Sequence, residues 1–371
     1  MSKHFFKNLR IKNFRGIKSL EINGLARVNL FVGKNNCGKT TVLEAAFLLA
    51  GINNPGLIIN MQNNRGVTLT EGSDIRDFFH NRDHKEGAVL SCVQMKGERN
   101  LKILPLYGNL QAGQTRGGSP LVSGNGGVKH MALSMGASAT GQSLIGLGYQ
   151  FTVAGSGTDK GEEPYKAGTH LTKIGELGFT SFSDDDYEES VRASYLGKEG
   201  YDHDAVDRML NRKRKDVLMD TLKSIDPKIT DIKTGSGGVV SVDIGLEDSF
   251  IPINLLGDGV VRILNIHAGI DGFPKGILAI DEIENGLHVT ALEQAWKVIL
   301  NQSEKSNAQI FLTTHSMDAI ESLRNALGEE LFPDVVACYR LVKCPTDEVR
   351  AYRYSADQLP MALDSGTDIR L

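Results

Sequence analysis

The chain has 371 residues, 40% of them hydrophobic and 23% charged, which is the balance of a soluble globular protein with core enough for one large or two ordinary domains. Its net charge of −4 excludes a globally basic nucleic-acid binder, so any contact with DNA or RNA has to come from a local patch. No apolar run approaches the roughly 18 residues of a membrane span, Met1 to His4 leads straight into a strand pattern with no signal peptide, and Cys37, Cys92, Cys338 and Cys344 show neither paired nor metal-ligating spacing, so a cytoplasmic protein is expected.

Lys7 to Lys12 and Lys18 to Ile22 alternate apolar and polar residues around the turn-like Asn13-Phe14-Arg15-Gly16, predicting two strands. Val28 to Val32 reads as a third, buried strand. Gly33-Lys34-Asn35-Asn36-Cys37-Gly38-Lys39-Thr40 follows it, and Thr41 to Ala50 then reads as a helix with Leu43, Ala46, Leu48 and Leu49 on its apolar side. Strand, glycine-bearing turn and helix in this order form a phosphate-binding loop. Small residues let successive backbone N–H groups converge on a β-phosphate, and the helix N-terminus adds partial positive charge. Lys39 would span the β- and γ-phosphates, while Thr40 would offer its hydroxyl to Mg²⁺.

Asn53-Asn54-Pro55-Gly56 breaks the helix, and Ala88 to Met95 and Leu101 to Leu106 are further strands. Tyr107 to Lys173 is rich in Gly, Ser and Thr with few periodic apolar positions, so a loop-rich insertion is expected there. Asp202 to Ile225 is helical, closed by Pro227, and carries Arg208, Arg212, Lys213, Arg214 and Lys215. Such a cluster suits either phosphate contact or an ordinary solvated helix face, and it has no interleaved aromatic residues. Val239 to Leu246 resumes a strand pattern. Leu256-Gly257-Asp258-Gly259 then precedes Arg262, Ile263 and Leu264 at helical spacing: either an anion-binding helix N-terminus or a plain helix start.

Ile277 to Ile280 is an apolar strand ending in Asp281 and Glu282. Asp281 suits a Mg²⁺ shell, and Glu282 is placed to polarise a water attacking a γ-phosphate. Ile310 to Thr314 is another apolar strand, ending at His315, where an imidazole can hydrogen-bond that phosphate. Met317 to Leu327 reads as a helix, with Val335 to Val342 and Val349 to Tyr354 forming a hairpin.

In this order, with Asn13-Phe14-Arg15 before the loop and Glu284-Asn285-Gly286-Leu287-His288 after the carboxylates, these pieces resemble the ABC-type ATPase heads of the RecF, Rad50 and OLD-nuclease group. The chain is most similar to small AAA15-like ATPases associated with bacterial defence genes. The resemblance implies an α/β P-loop NTPase head, a mixed sheet flanked by helices, with an inserted loop-rich and helical lobe. The core would span 1–106 and 232–371, and the lobe 107–231. It further implies ATP and Mg²⁺ as cofactors. Gly33 to Thr41 and Arg15 would hold the nucleotide, joined by Gly257, Asp258 and Gly259 of an opposite subunit. Thr40 and Asp281 would hold the metal, and Glu282, His315 and Lys39 would carry the catalysis. Asn285 to His288 matches the D-loop.

The signature segment departs from the usual Leu-Ser-Gly-Gly-Gln, with Leu256 or Gly257 where serine stands. Gln94 and the stretch Asp77-Phe78-Phe79-His80 are both candidates for the Q-loop region. Only about 55 residues follow Ser316, too few for a Toprim nuclease domain. The expected function is ATP hydrolysis by a head-to-tail homodimer or higher oligomer that signals to an effector, in defence or DNA maintenance and with DNA as a candidate partner. The alternative is a regulatory or DNA-associated nucleotide-binding module with little turnover. No Asn-Lys-x-Asp or Thr-Lys-x-Asp motif supports a GTPase.

Overall fold

The fold is known from a computed structural model that describes residues 5–67, 72–108, 134–135, 143–154, 163–174, 176–184, 186–189, 191–197, 203–211, 215–235, 239–246, 250–327, 335–354 and 358–370. Alternation in the first two strands sets its frame. β1 (Asn8–Phe14) buries Leu9, Ile11 and Phe14, and β2 (Ile17–Asn23) buries Ile17, Leu20 and Ile22, so their hairpin turns one apolar face inward. β3 (Val28–Val32) is buried at every residue, as a strand covered on both faces must be. It runs through the glycine-bearing turn into α1 (Lys39–Ala50), followed by α2 (Gly56–Asn64).

Next come β4 (Ala88–Gln94), β5 (Gly97–Gly108), β6 (Ser134–Met135), β7 (Ser143–Val153), β8 (Tyr165–Ile174), β9 (Glu176–Ser183) and β10 (Ala193–Leu196). The helices α3 (His203–Asn211) and α4 (Lys215–Ile225) lead to β11 (Asp231–Thr234), β12 (Val240–Asp243) and β13 (Ile251–Pro252). The C-terminal part is α5 (Asp258–Gly272), β14 (Ile277–Ile280), α6 (Val289–Ser306), β15 (Gln309–Thr313), α7 (Met317–Leu327), β16 (Val336–Lys343), β17 (Val349–Tyr354) and α8 (Gln358–Asp364).

An antiparallel sheet has the order β2-β1-β4-β5-β7-β8-β9, with β6 on β5, and a second sheet has the order β10-β14-β15-β3-β16-β17. From β10 to β16 the second sheet is parallel, and β17 closes it antiparallel. Parallel pairing brings the carboxyl ends of β3, β14 and β15 to one edge, although β3 lies roughly 250 positions before the other two. α1 lies between the two sheets and touches strands of both. Thr41 to Ala50 are therefore all buried, where the sequence predicts a helix with one apolar side. On the outer face of the parallel sheet, α5, α6 and α7 pack Ile263, Trp296 and Ile320 against Leu30, Ile280 and Leu312. A third, three-stranded sheet, β11-β12-β13, joins α3, α4 and α5 in a smaller core. Among the described residues no helix is long and apolar enough to cross a membrane.

One expectation changes. The stretch Tyr107 to Lys173, expected to be loops, contains β7 and most of β8 as full members of the antiparallel sheet. Their signal is masked by glycine where neighbouring chains press closest: a Cβ on Gly146 would lie 2.1 Å from the Thr169 carbonyl oxygen, and one on Gly148 would lie 2.8 Å from the Met135 side chain. The helix expected over Asp202 to Ile225 is borne out over α3 and α4, and Arg212, Lys213 and Arg214 between them lie outside the described residues.

Candidate active site

The loop between β3 and α1 takes its shape from two glycines. Gly33 has φ 141°, and a Cβ there would sit 2.5 Å from the Leu341 carbonyl oxygen and 2.9 Å from Cys37 Sγ. Gly38 has φ 99°, with Ile17 of the β1–β2 hairpin 3.0 Å from where its Cβ would be. Only glycine meets both demands. Asn36 (φ 62°) supplies a third left-handed residue, which asparagine tolerates better than most. Lys34, Asn35 and Asn36 are exposed and Cys37 is buried beneath them. The Lys39 ammonium arches across the turn and donates to the carbonyls of Gly33 (2.7 Å) and Lys34 (3.0 Å).

At the ends of β14 and β15 the acidic groups gather around this loop. The Thr40 hydroxyl donates to both oxygens of Asp281, at 3.2 and 3.1 Å, the Thr313 hydroxyl donates to Oδ1 at 2.6 Å and Tyr195 of β10 reaches Oδ2 at 3.4 Å. Thr313 also accepts the backbone N–H of Glu282 at 2.8 Å. Glu282 itself is left-handed (φ 48°), a conformation that a long side chain adopts only when its surroundings impose it. Arg262, buried in the second turn of α5, supplies the other constraint. It donates to the carbonyls of Gly197 (2.6 Å), Asp281 (2.9 Å) and Glu282 (3.1 Å).

His315 is half-exposed, and its Nδ1 lies 2.9 Å from Glu284 and 3.8 Å from Glu282. Glu284 also accepts the backbone N–H groups of His315 (2.8 Å) and Ser316 (3.1 Å). The loop Glu284 to His288 is thereby tied to the histidine. On its far side, a Cβ on Gly286 would lie 3.1 Å from Asp258, and one on Gly259 would lie 3.4 Å from the Gly286 carbonyl oxygen. The turn Gly257 to Gly259 accordingly packs on the 284–288 loop. Gly257 (φ 106°) precedes α5, whose N-terminus has no side-chain cap, and nothing lies within 4 Å of where a Cβ on Gly257 would be.

Arg15, on the β1–β2 turn, is buried beside the loop. It ion-pairs with Glu44 at 2.8 Å and lies 4.7 Å above the Phe78 ring. Arg65 of the segment after α2 makes a forked contact with the same carboxylate, at 2.7 and 3.0 Å. Burial pushes the Arg15 guanidinium down from its ordinary value and the Glu44 charge opposes that, whereas at Arg65 the Glu44 contact outweighs burial and pushes it up. Both arginines line a cleft of about 320 Å³ with Asn36, Gly38, Thr41, Gln62 and Asp77.

Sequence reasoning brings Lys39, Thr40, Asp281, Glu282 and His315 to one place, and the structure does the same. Sequence reasoning assigns no supporting role to Glu44, Arg65, Tyr195, Arg262, Glu284 or Thr313. A glutamate in the middle of an apolar helix was the signal available for Glu44. Of the Q-loop candidates, Phe78 packs beneath Arg15, and Gln94 is buried at the end of β4, which pairs with β1 and β5. The glutamine that reaches the cleft is Gln62, buried, with its Oε1 making no hydrogen bond among the described residues.

Two family models match separate parts of the chain. One, described as "AAA ATPase domain", matches residues 5–90, and a second AAA-domain model, whose description carries the words AbiEii toxin and Type IV TA system, matches residues 181–321. A curated "ATP/GTP phosphatase" of Helicobacter pylori is 22% identical over 352 residues, spanning 88% of this chain and 89% of that protein. The DNA replication and repair protein RecF of Lactobacillus acidophilus is 44% identical over 46 residues, 12% of each chain. Among solved structures, the SMC head domain from Thermotoga maritima aligns over 94% of this chain and 99% of its own, with 11% identity and a TM-score of 0.40. The SMC head bound to the C-terminal winged-helix domain of ScpA aligns over 97% and 99%, with 9% identity and a TM-score of 0.45.

Proposed function

Because this chain is an ABC-type, AAA15-like ATPase, we propose that two copies close head to tail over two ATP molecules and separate on hydrolysis, passing the change to an effector. The observation that carries this reading is the place of Gly257 to Gly259. This turn opens a helix whose N-terminus has no side-chain cap, it packs on the 284–288 loop, and nothing lies within 4 Å of where a Cβ on Gly257 would be. A second copy's γ-phosphate is the partner such an N-terminus fits.

Within each copy the residues fit Mg-nucleotide. Thr40 and Asp281 present a hydroxyl and a carboxylate in direct contact, hard oxygen donors of the kind Mg²⁺ takes, and the metal would neutralise charge on the β- and γ-phosphates. Thr313 and Tyr195 hold the Asp281 carboxylate in one orientation. Lys39, already directed at the mouth of the loop by two carbonyls, exchanges them for phosphate oxygens. Glu282 polarises the attacking water and accepts its proton, its backbone held by Thr313 and Arg262. His315, steered by Glu284, hydrogen-bonds the γ-phosphate and links it to the 284–288 loop against which the signature turn rests. Departure of that phosphate would therefore be felt at the subunit interface. All four cysteines are free thiols, in keeping with a cytoplasmic setting. Bacterial defence or DNA maintenance is the role the family likeness favours.

Glu282→Gln tests the reading. Turnover should fall about 10²- to 10⁴-fold, the usual contribution of a positioned base, and ATP should shift that variant to a dimer in sizing experiments. A variant that stays monomeric with ATP sinks the sandwich. Steady-state phosphate release no faster than that of Lys39→Ala, with or without DNA, would favour the alternative of a nucleotide-binding module with little turnover.

A further inference from the structure

The β16–β17 hairpin turns a basic and aromatic face to solvent. Register pairs Arg340 with Tyr352 and Val342 with Arg350, so these four side chains share one face of the sheet. Tyr352 is 50% exposed. The Arg340 guanidinium stands over its ring at 5.9 Å, and the Arg350 side chain donates to its hydroxyl oxygen. Arg340 is shared by two adjoining clefts. One, of about 510 Å³, is walled by Tyr352, Arg353, Tyr354, Gln358 and Met361, the last of these 68% exposed. The other, of about 420 Å³, runs to the phosphate loop between Lys34, Lys343 and Arg370.

Three acids near this surface are already engaged: Asp347 with Lys343, Asp364 with Arg324 and Asp368 with Arg370. Glu348 lies beside Arg350, and Arg353, on the opposite face of the hairpin, is hydrogen-bonded to Tyr339, so Lys34, Arg340 and Arg350 carry the positive charge offered to an outside partner. Two guanidinium groups flanking an exposed ring beside a groove are suited to contact a phosphodiester backbone and stack unpaired bases. A duplex hides its base faces and cannot use the ring.

The geometry points to this hairpin face as a binding site for single-stranded nucleic acid, with Arg340 and Arg350 on phosphates and Tyr352 under a base. It lies apart from the Arg208 to Lys215 segment. There Arg208 stacks on Phe273 at 4.8 Å and Lys215 is paired with Asp231 at 2.5 Å.

Fluorescence anisotropy of the full chain with labelled oligothymidine and oligouridine of about 20 nucleotides tests the site, and the two arms distinguish DNA from RNA. Binding to at least one is expected. Tyr352→Ala should weaken it about tenfold, and Tyr352→Phe, which keeps the ring, should stay within about twofold of wild type. Arg340→Ala with Arg350→Ala should lower the slope of log K against log salt by roughly 0.7 for each phosphate no longer neutralised. Phosphate release by Tyr352→Ala should match wild type, so this result stands or falls separately from the ATPase reading. The inference is overturned if neither oligomer binds, if the alanine variants bind as wild type does, if Tyr352→Phe weakens binding as much as Tyr352→Ala, or if a duplex of the same length binds as tightly as the single strand.

Discussion

At the scale of single residues, the site combines groups that a motif announces with groups that only their surroundings make meaningful. Lys39 and Asp281 are legible because phosphate and metal chemistry demand those residue types next to a glycine turn and a strand end. Glu44 and Glu284 are not, since a lone glutamate says nothing until arginines or amide groups converge on it. Cys37 shows the same dependence. It stands inside the phosphate loop, where a reactive thiolate would be a hazard, but burial pushes its thiol up and outweighs the opposing pull of Lys39. Iodoacetamide at pH 8 should therefore modify the half-buried Cys344 well before the buried Cys37, Cys92 and Cys338. Peptide mass spectrometry reads the order directly, and early labelling of Cys37 would show that the loop opens on that timescale.

Among the elements, α5 couples the two halves of the proposed sandwich. Its first residues form the turn proposed to meet the second copy's nucleotide, and Arg262, one turn further on, caps the carbonyls of Asp281 and Glu282. A shift of this helix would thus move the backbone that aims both carboxylates. Arg262→Ala strands three carbonyls in a mostly buried place and should cost about 2–4 kcal/mol of stability. Arg262→Lys, which keeps the charge but not the fork, should recover only part of it. Urea midpoints measure both, and an alanine variant as stable as wild type would mean that these carbonyls find other partners. Element positions were otherwise easy to foresee where side chains are large. β3, β14, β15 and the final hairpin fall within a residue or two of expectation. β7 and β8 were hidden because Gly146, Gly148 and Gly168 stand where a side chain would collide, so period-two alternation is missing its apolar members.

For the whole molecule, the decisive feature is that the parallel sheet gathers strands from both ends and the middle of the chain. β10 is an instance: it lies within the stretch expected to form an inserted lobe, yet it pairs with β14 and delivers Tyr195 to Asp281. If each ATP needs a turn from a second copy, the rate of phosphate release per chain should rise with protein concentration and level off once dimers saturate. A flat dependence across the dilute range would mean that one copy is complete by itself. The sequence alone determined the phosphate loop, the acidic strand end and the histidine after it, because these rest on local spacing and on residue types that no neutral substitute replaces. Tertiary structure decided which groups hold them: Thr313 and Tyr195 on Asp281, Arg262 beneath Glu282, Glu284 on His315 and two arginines on Glu44. Those pairings join residues from 20 to 86 positions apart, and their geometry exists only once the sheets have paired and buried them.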